Sequence, residues 1–300
     1  MIGAKTGIYA IQGGESFVGV LDGYAGIQKA TGYWQFLSAY SGALVEIRRD
    51  SDNATKDFFP DSNNELSMSS EDGSGTTLSS WIGSDNGFVR TRYDQSGNGN
   101  DDEQPTASAQ EQIIVSGTLQ TKNGKAKSLL NGTTRYSRFT QFTGTKTEIL
   151  VSDRVRQTGS FQRPVFFTES NLNTNFAKGG YTISNSGANY IFHSCDGINF
   201  LGVTTTPFPQ QHLMLFKVPQ ADNSNPDLYQ NGTLAAQTDD STPRPSPVGT
   251  YGFIGALGRG NDSSIGQYAD LDFQAHICFS SDQTANRATI ESEMTTYYGL

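Results

Sequence analysis

Hydrophobic and polar positions alternate in short runs along most of this chain, the period of strands with unlike faces. From residue 110 onward such runs recur about every 10 to 15 residues, with turn residues between them. They predict strands over 112–115, 127–130, 147–155, 163–168, 181–184, 190–194, 212–218, 227–229, 234–237, 252–257 and 269–279. Upstream, the pattern predicts strands over 16–21, 43–49 and 88–93 and a helical turn over 77–82. A short helix over 33–40 would place Trp34, Leu37 and Tyr40 on one face. Asn-Gly pairs at 231–232, 123–124 and 131–132 stand between β-formers, where they favour tight hairpins. The one strong helical signal is at the end: Ser281, Asp282, Gln283 and Thr284 offer caps, Ala288, Ile290 and Met294 an apolar stripe, and Gly299 a stop. Many short strands, one terminal helix and no βαβ alternation predict an all-β protein built as an antiparallel sandwich. Residues 1–30 are glycine-rich and weakly patterned, and are expected to form an N-terminal arm to a domain over 31–300. The Pro-rich stretch 238–248 has hairpins on both sides and reads as a loop inside that domain.

Composition agrees. Charged residues make up 17% of the 300 positions, and there are 33 glycines. Mean hydropathy is −0.48, so the polarity comes from Ser, Thr, Asn and Gln more than from charge. The net charge of −9 argues against nucleic acid as a partner, because phosphate contacts need clustered Lys and Arg. No apolar run of about 18 residues exists to cross a membrane as a helix. The N-terminus lacks the apolar run of a secretory signal. Cys195 and Cys278 sit in apolar, strand-like runs and read as buried thiols, with a disulfide between adjacent strands as the alternative. His193, His212 and His276 lie in apolar strands without metal spacing.

The most specific stretch is 86–100, a strand that runs into Gln95-Ser96-Gly97-Asn98-Gly99-Asn100. Gly and Asn reach positive φ cheaply, so this is a rigid polar turn. Asp94, Gln95, Asn98 and Asn100 are candidates to hydrogen-bond a sugar, with Trp34, Trp81 and Tyr33 as stacking platforms or, as the setting of Trp81 before Ile82 favours, as core aromatics. Alternatively Asp94, with Asp101 and Asp102 just beyond, could hold calcium, which takes six to eight oxygen ligands. The same side chains could instead satisfy backbone donors and lock the turn. Arg48, Arg49 and Asp52 read as an ion-pair cluster pinning strands.

The hairpin at 228–234, the strand at 269–279 and the closing helix with Tyr297-Tyr298-Gly299 resemble the C-terminal half of concanavalin A-like (LamG-type) jelly rolls. More specifically, the block from Tyr40 to Arg49, the block from Ser51 to Asp57 and the block from Tyr93 to Asn100 resemble the catalytic domain of the α-L-arabinofuranosidase B family. That resemblance implies a concanavalin A-like antiparallel β-sandwich (jelly roll) with short helices and a C-terminal helix. It also implies a retaining glycosidase site, which needs two carboxyl groups about 5 Å apart. The family acid has a counterpart in Asp262. The family nucleophile, a Glu on a mid-chain strand, has none: residues 181–201 contain only Asp196, and the nearest Glu upstream is Glu169.

These readings predict a non-enzymatic virion structural protein of a bacteriophage, a capsid decoration, fibre or tail component that could also bind glycans. It is expected to fold in the host cytoplasm and to meet other virion proteins and host surface glycans, as a homo-oligomer, with no cofactor unless calcium. A free, extracellular lectin-like module and an arabinofuranosidase-type hydrolase acting through Asp262 are the alternatives.

Overall fold

The computed structural model describes residues 17–156, 161–167, 180–184, 189–193, 200–204, 213–218, 227–234, 237–240, 251–259, 264–266 and 268–300. Glu169, Cys195, Asp196, His212 and Asp262 lie outside these residues. The first elements are β1 (Ile27–Gly32), β2 (Val45–Arg49), β3 (Thr55–Phe58), α1 (Leu78–Ile82), β4 (Gly87–Arg92), β5 (Asp102–Glu103) and β6 (Glu111–Val115). Strands pair antiparallel and curl into a β-sandwich closed by the helix Arg287–Tyr298.

The organising strand is Asp270–Phe279. It pairs with Thr147–Arg156 on one edge and with β1 and then Ser128–Leu129 on the other. Against it the register shifts between Val151, opposite Ala275, and Ser152, opposite Phe273. Gln274 is the extra residue of this bulge, and a bulge exchanges the faces of a strand. Leu271 and Phe273 therefore join one core cluster together with Cys278, whereas Ala275, Ile277 and Phe279 join the other. The terminal helix covers the second cluster with Ile290, Met294, Tyr297 and Tyr298. It ends at Gly299, whose φ of 67° is the left-handed cap expected of that residue.

Most expected strands are found within one or two residues, among them Thr147–Arg156, Leu213–Val218 and Asp270–Phe279. The hairpins at Asn231-Gly232 and Asn123-Gly124 have both residues at positive φ. Three expectations fail. Residues 33–40 are not a helix. Trp34 bridges Glu65, Gln35 N–H donates to Asn64 and Leu66 N–H donates to Tyr33, so the segment is extended. Its operative period is two: Tyr33 faces the cluster of Leu271 and Phe273, Trp34 and Phe36 the cluster under the terminal helix. Residues 17–21 form no strand. Asn131-Gly132 makes no hairpin, because the Asn131 side chain accepts the backbone N–H groups of Thr133, Thr134 and Arg135 and draws out a wider turn. Ile27–Gly32, which lies across the expected boundary between arm and sandwich, is a core strand with Ala30 and Lys29 fully buried.

Candidate functional site

The turn after β4 is a clamp on β1. The Asp94 carboxylate accepts four donors: Ala30 N–H at 2.8 Å, Ser96 N–H at 3.0 Å, Ser96 Oγ at 2.7 Å and Asn100 N–H at 3.0 Å. Gln95 accepts Phe36 N–H at 2.7 Å and donates to the Trp34 carbonyl at 2.7 Å. Asn98 and Asn100 donate to the Ile27 and Gln28 carbonyls at 2.9 and 2.7 Å. Gly97 and Gly99 turn the chain at φ of 82° and 72°. These side chains satisfy backbone groups that no ladder reaches, the locking role among the alternatives read from the sequence.

Trp34 was the expected sugar platform, but its ring is buried. It stacks on Tyr297 at 3.8 Å with 6° between planes and meets Phe36 edge-on. Trp81 and Tyr33 are buried as well, Trp81 tilted against Phe58 and under the Arg49 guanidinium. Arg49 pairs with Asp52, and Arg48 with Gln110, Asp50 and Asn53, so both arginines pin the β2–β3 hairpin.

Asp101 and Asp102 part company. Asp101 is partly exposed and accepts Asp94 N–H at 2.7 Å. Asp102 is fully buried between Lys29 Nζ at 2.7 Å and Arg92 Nε at 3.1 Å. Arg92 also forks onto Glu111, donates to Ser137 and Tyr33, and lies 4.0 Å from the Phe273 ring. Burial alone would lower the Arg92 pKa; Glu111, Tyr33 and Asp102 outweigh it and raise it well above the ordinary value. Burial alone would raise the Asp102 carboxyl, and Lys29 and Arg92 hold it lower instead. No glycoside reaches Asp102 or Glu111, the two carboxylates that share Arg92, because both are enclosed.

Alternation along 88–94 puts Arg90 and Arg92 on one face; in the fold they are on opposite sides. Ile47 pairs with Val89, yet Val45 pairs with Arg92, so β4 gains a residue between them. That bulge leaves Arg90 outside with Glu46 and brings Arg92 in.

One surface patch does gather exposed chemistry. The Tyr93 hydroxyl donates to Asp57 Oδ1 at 2.6 Å. The Tyr40 hydroxyl donates to the Ala43 carbonyl at 2.5 Å, with its ring laid over Gly42. Both phenols are raised above their ordinary value, first by burial and then by neighbouring carboxylates that include Asp57 and Asp101. Burial also raises Asp101, against the Asp94 N–H bond that favours its charged form. The patch forms because Glu46 pairs with Asp57 across β2–β3, Val45 with Arg92 across β2–β4, and Tyr93 N–H donates to Leu44. Tyr40, Asp57 and Tyr93 come from the three sequence blocks that carry the family resemblance. Sequence reasoning named those blocks without assigning these side chains.

No protein-family model and no curated protein matches the chain. Among solved structures, it is similar to an arabinofuranosidase complexed with arabinofuranosyl-α-1,2-xylobiose, at 16% identity and a TM-score of 0.57 over 91% of this chain. A GH54 α-L-arabinofuranosidase soaked with a cyclic sulfate inhibitor aligns at 17% identity and a TM-score of 0.48 over 89% of this chain and 62% of its own. The sialidase CBM40 of Ruminococcus gnavus aligns at 11% identity and a TM-score of 0.36 over 48% of this chain and 81% of its own. The chain spans 64% of the length of the first of these enzymes. The likeness to the arabinofuranosidase is one of fold, and it places the chain among antiparallel β-sandwiches.

Proposed function

We propose that this protein recognises carbohydrate through the Tyr40–Tyr93 patch and does not hydrolyse it. The observation that carries the reading is the convergence of Tyr40, Tyr93, Asp57 and Asp101 on one partly exposed surface beside a rigid turn. Phenol rings supply flat apolar faces for sugar C–H groups, and carboxylates accept sugar hydroxyls. The arabinofuranosidase fold supports a pentofuranoside-containing glycan as the first ligand to try.

Binding is proposed to be calcium-independent. Asp94 already carries four N–H and O–H donors, and Asp102 two cationic partners, so calcium would have to displace them.

The test is a glycan array followed by calorimetric titration of arabinofuranosyl-xylooligosaccharides, with and without EDTA. Binding that is unchanged by EDTA and lost in a folded Tyr93→Ala or Asp101→Asn variant supports the reading. No binding to any glycan, or equal binding by both variants, overturns it. The hydrolase alternative has its own readout: turnover of an aryl α-L-arabinofuranoside that disappears in Asp262→Asn would establish it. The setting we propose is a bacteriophage virion, on the ground that the sequence pairs this fold with few cysteines and no basic surface. Capsid and tail genes beside this one would support it, and polysaccharide-utilisation genes would overturn it.

A further inference from the structure

We propose that Glu148, His276 and Cys278 supply three ligands of a buried zinc site inside the sandwich, with water as the fourth. Strand register assembles it. Glu148 lies opposite Cys278 in the pairing of Thr147–Arg156 with Asp270–Phe279, and His276 is two residues away on the same face. All three are fully buried. His276 Nε2 lies 3.0 Å from Glu148 Oε1 and 3.3 Å from Cys278 Sγ, and the three donor atoms lie within 4.8 Å of one another.

One ring nitrogen thus faces two heteroatoms. It can offer them one proton or one lone pair, and the three donor atoms are close enough to share a single cation. A cation among them serves all three. Zinc holds nitrogen at about 2.0–2.1 Å and sulfur at about 2.3 Å, so tetrahedral ligand atoms sit roughly 3.3–3.7 Å apart. The two distances here fall a few tenths short, and a small outward movement would admit the ion. A carboxylate, an imidazole and a thiol make a zinc set; calcium and magnesium prefer oxygen alone.

The nearby Lys29 ammonium is directed to Asp102 and Thr31, each at 2.7 Å. His276 Nδ1, which carries the ring proton in the metal-bound form, has no hydrogen-bond partner among the described residues. An enclosed water is expected beside it. A nucleophilic relay is a poor alternative, because it needs the acid on the ring nitrogen opposite the thiol, whereas here both meet Nε2.

The test begins with full-length protein reconstituted with zinc. Elemental analysis should find about one zinc per chain, and X-ray absorption at the zinc edge should find one sulfur ligand. Cobalt substitution should give a thiolate charge-transfer band that is absent in Cys278→Ala. Chelation should lower Tm in the wild type and leave Cys278→Ala unchanged. No stoichiometric zinc, zinc without a sulfur ligand, or equal zinc content in Cys278→Ala overturns the proposal. The absorption measurement uses the wild type alone and decides the question whether or not the variant folds.

Discussion

Asp94 accepts the backbone N–H of Ala30 at 2.8 Å, joining a turn to a strand 64 residues earlier in the chain. The bond is buried, and the same carboxylate holds the turn's own N–H groups. Asp94→Ala leaves buried donors without an acceptor, at a cost of roughly 2–3 kcal/mol. Chemical denaturation of the variant should show it. A loss below about 0.5 kcal/mol would mean that water replaces the carboxylate and that the clamp is not structural.

Arg92 is the shared counter-ion of Asp102 and Glu111. Arg92→Met leaves two buried carboxylates facing only Lys29 and hydroxyls, and should cost about 3–5 kcal/mol. Arg92→Lys keeps the charge without the bidentate fork and should recover part of that loss. Equal stability of the two variants would show that charge contributes nothing at this position.

Acid should act through Asp102. Its carboxyl is held lower in the folded chain by Lys29 and Arg92 against the opposing effect of burial. A group whose folded value is depressed contributes stability above its unfolded value, near 3.9, and loses it as the pH falls through the folded value. Unfolding midpoints measured from about pH 5 to about pH 2 should therefore fall more steeply for the wild type than for Asp102→Asn. Parallel profiles would refute the assignment.

Gly97 separates backbone strain from crowding. Its φ is 82°, and a Cβ there would meet nothing within 4 Å. Gly97→Ala should cost about 1–2 kcal/mol, all of it conformational, and Gly97→Asn less. A much larger loss, measured by thermal unfolding, would mean that the turn rearranges.

Trp34 discriminates between core and platform. Its stack on Tyr297 ties the 33–36 segment to the terminal helix. Trp34→Ala should cost roughly 3–5 kcal/mol. Conservative Trp34→Phe should keep the fold and leave glycan affinity unchanged. Affinity that falls with Trp34→Phe in a stable protein would return the ring to the binding surface.

The fold class was legible because alternation and Asn-Gly turns are local signals. Tyr229 to Leu234 closes as a hairpin because Asn231 and Gly232 alone can take its two positive-φ positions at low cost. Helix and strand could not be told apart at 33–40, where Trp34, Leu37 and Tyr40 suit a helical face. Only the pairing partner, residues 64–66, decides it. Bulges are equally silent in sequence. The extra residue at Arg90 turns Arg92 inward, so its burial was invisible to a period-two reading; Cys278 was legible as a buried thiol, and the extra residue at Gln274 decides only which cluster it joins. At the candidate site, the blocks containing Tyr40, Asp57 and Tyr93 could be recognised, but their meeting depends on long-range register.

The pairing of β1 with Asp270–Phe279 also sets a timetable for synthesis. Ile27–Gly32 finds its partner only when Asp270–Phe279 has left the ribosome. Until then Lys29 and Thr31 belong to a strand with an open edge, exposed to pairing with the wrong neighbour. Such non-local closure is slow, and chains waiting for it are prone to associate. A nascent chain stalled short of residue 270 should bind chaperone, and release should coincide with the emergence of the strand that completes the sheet.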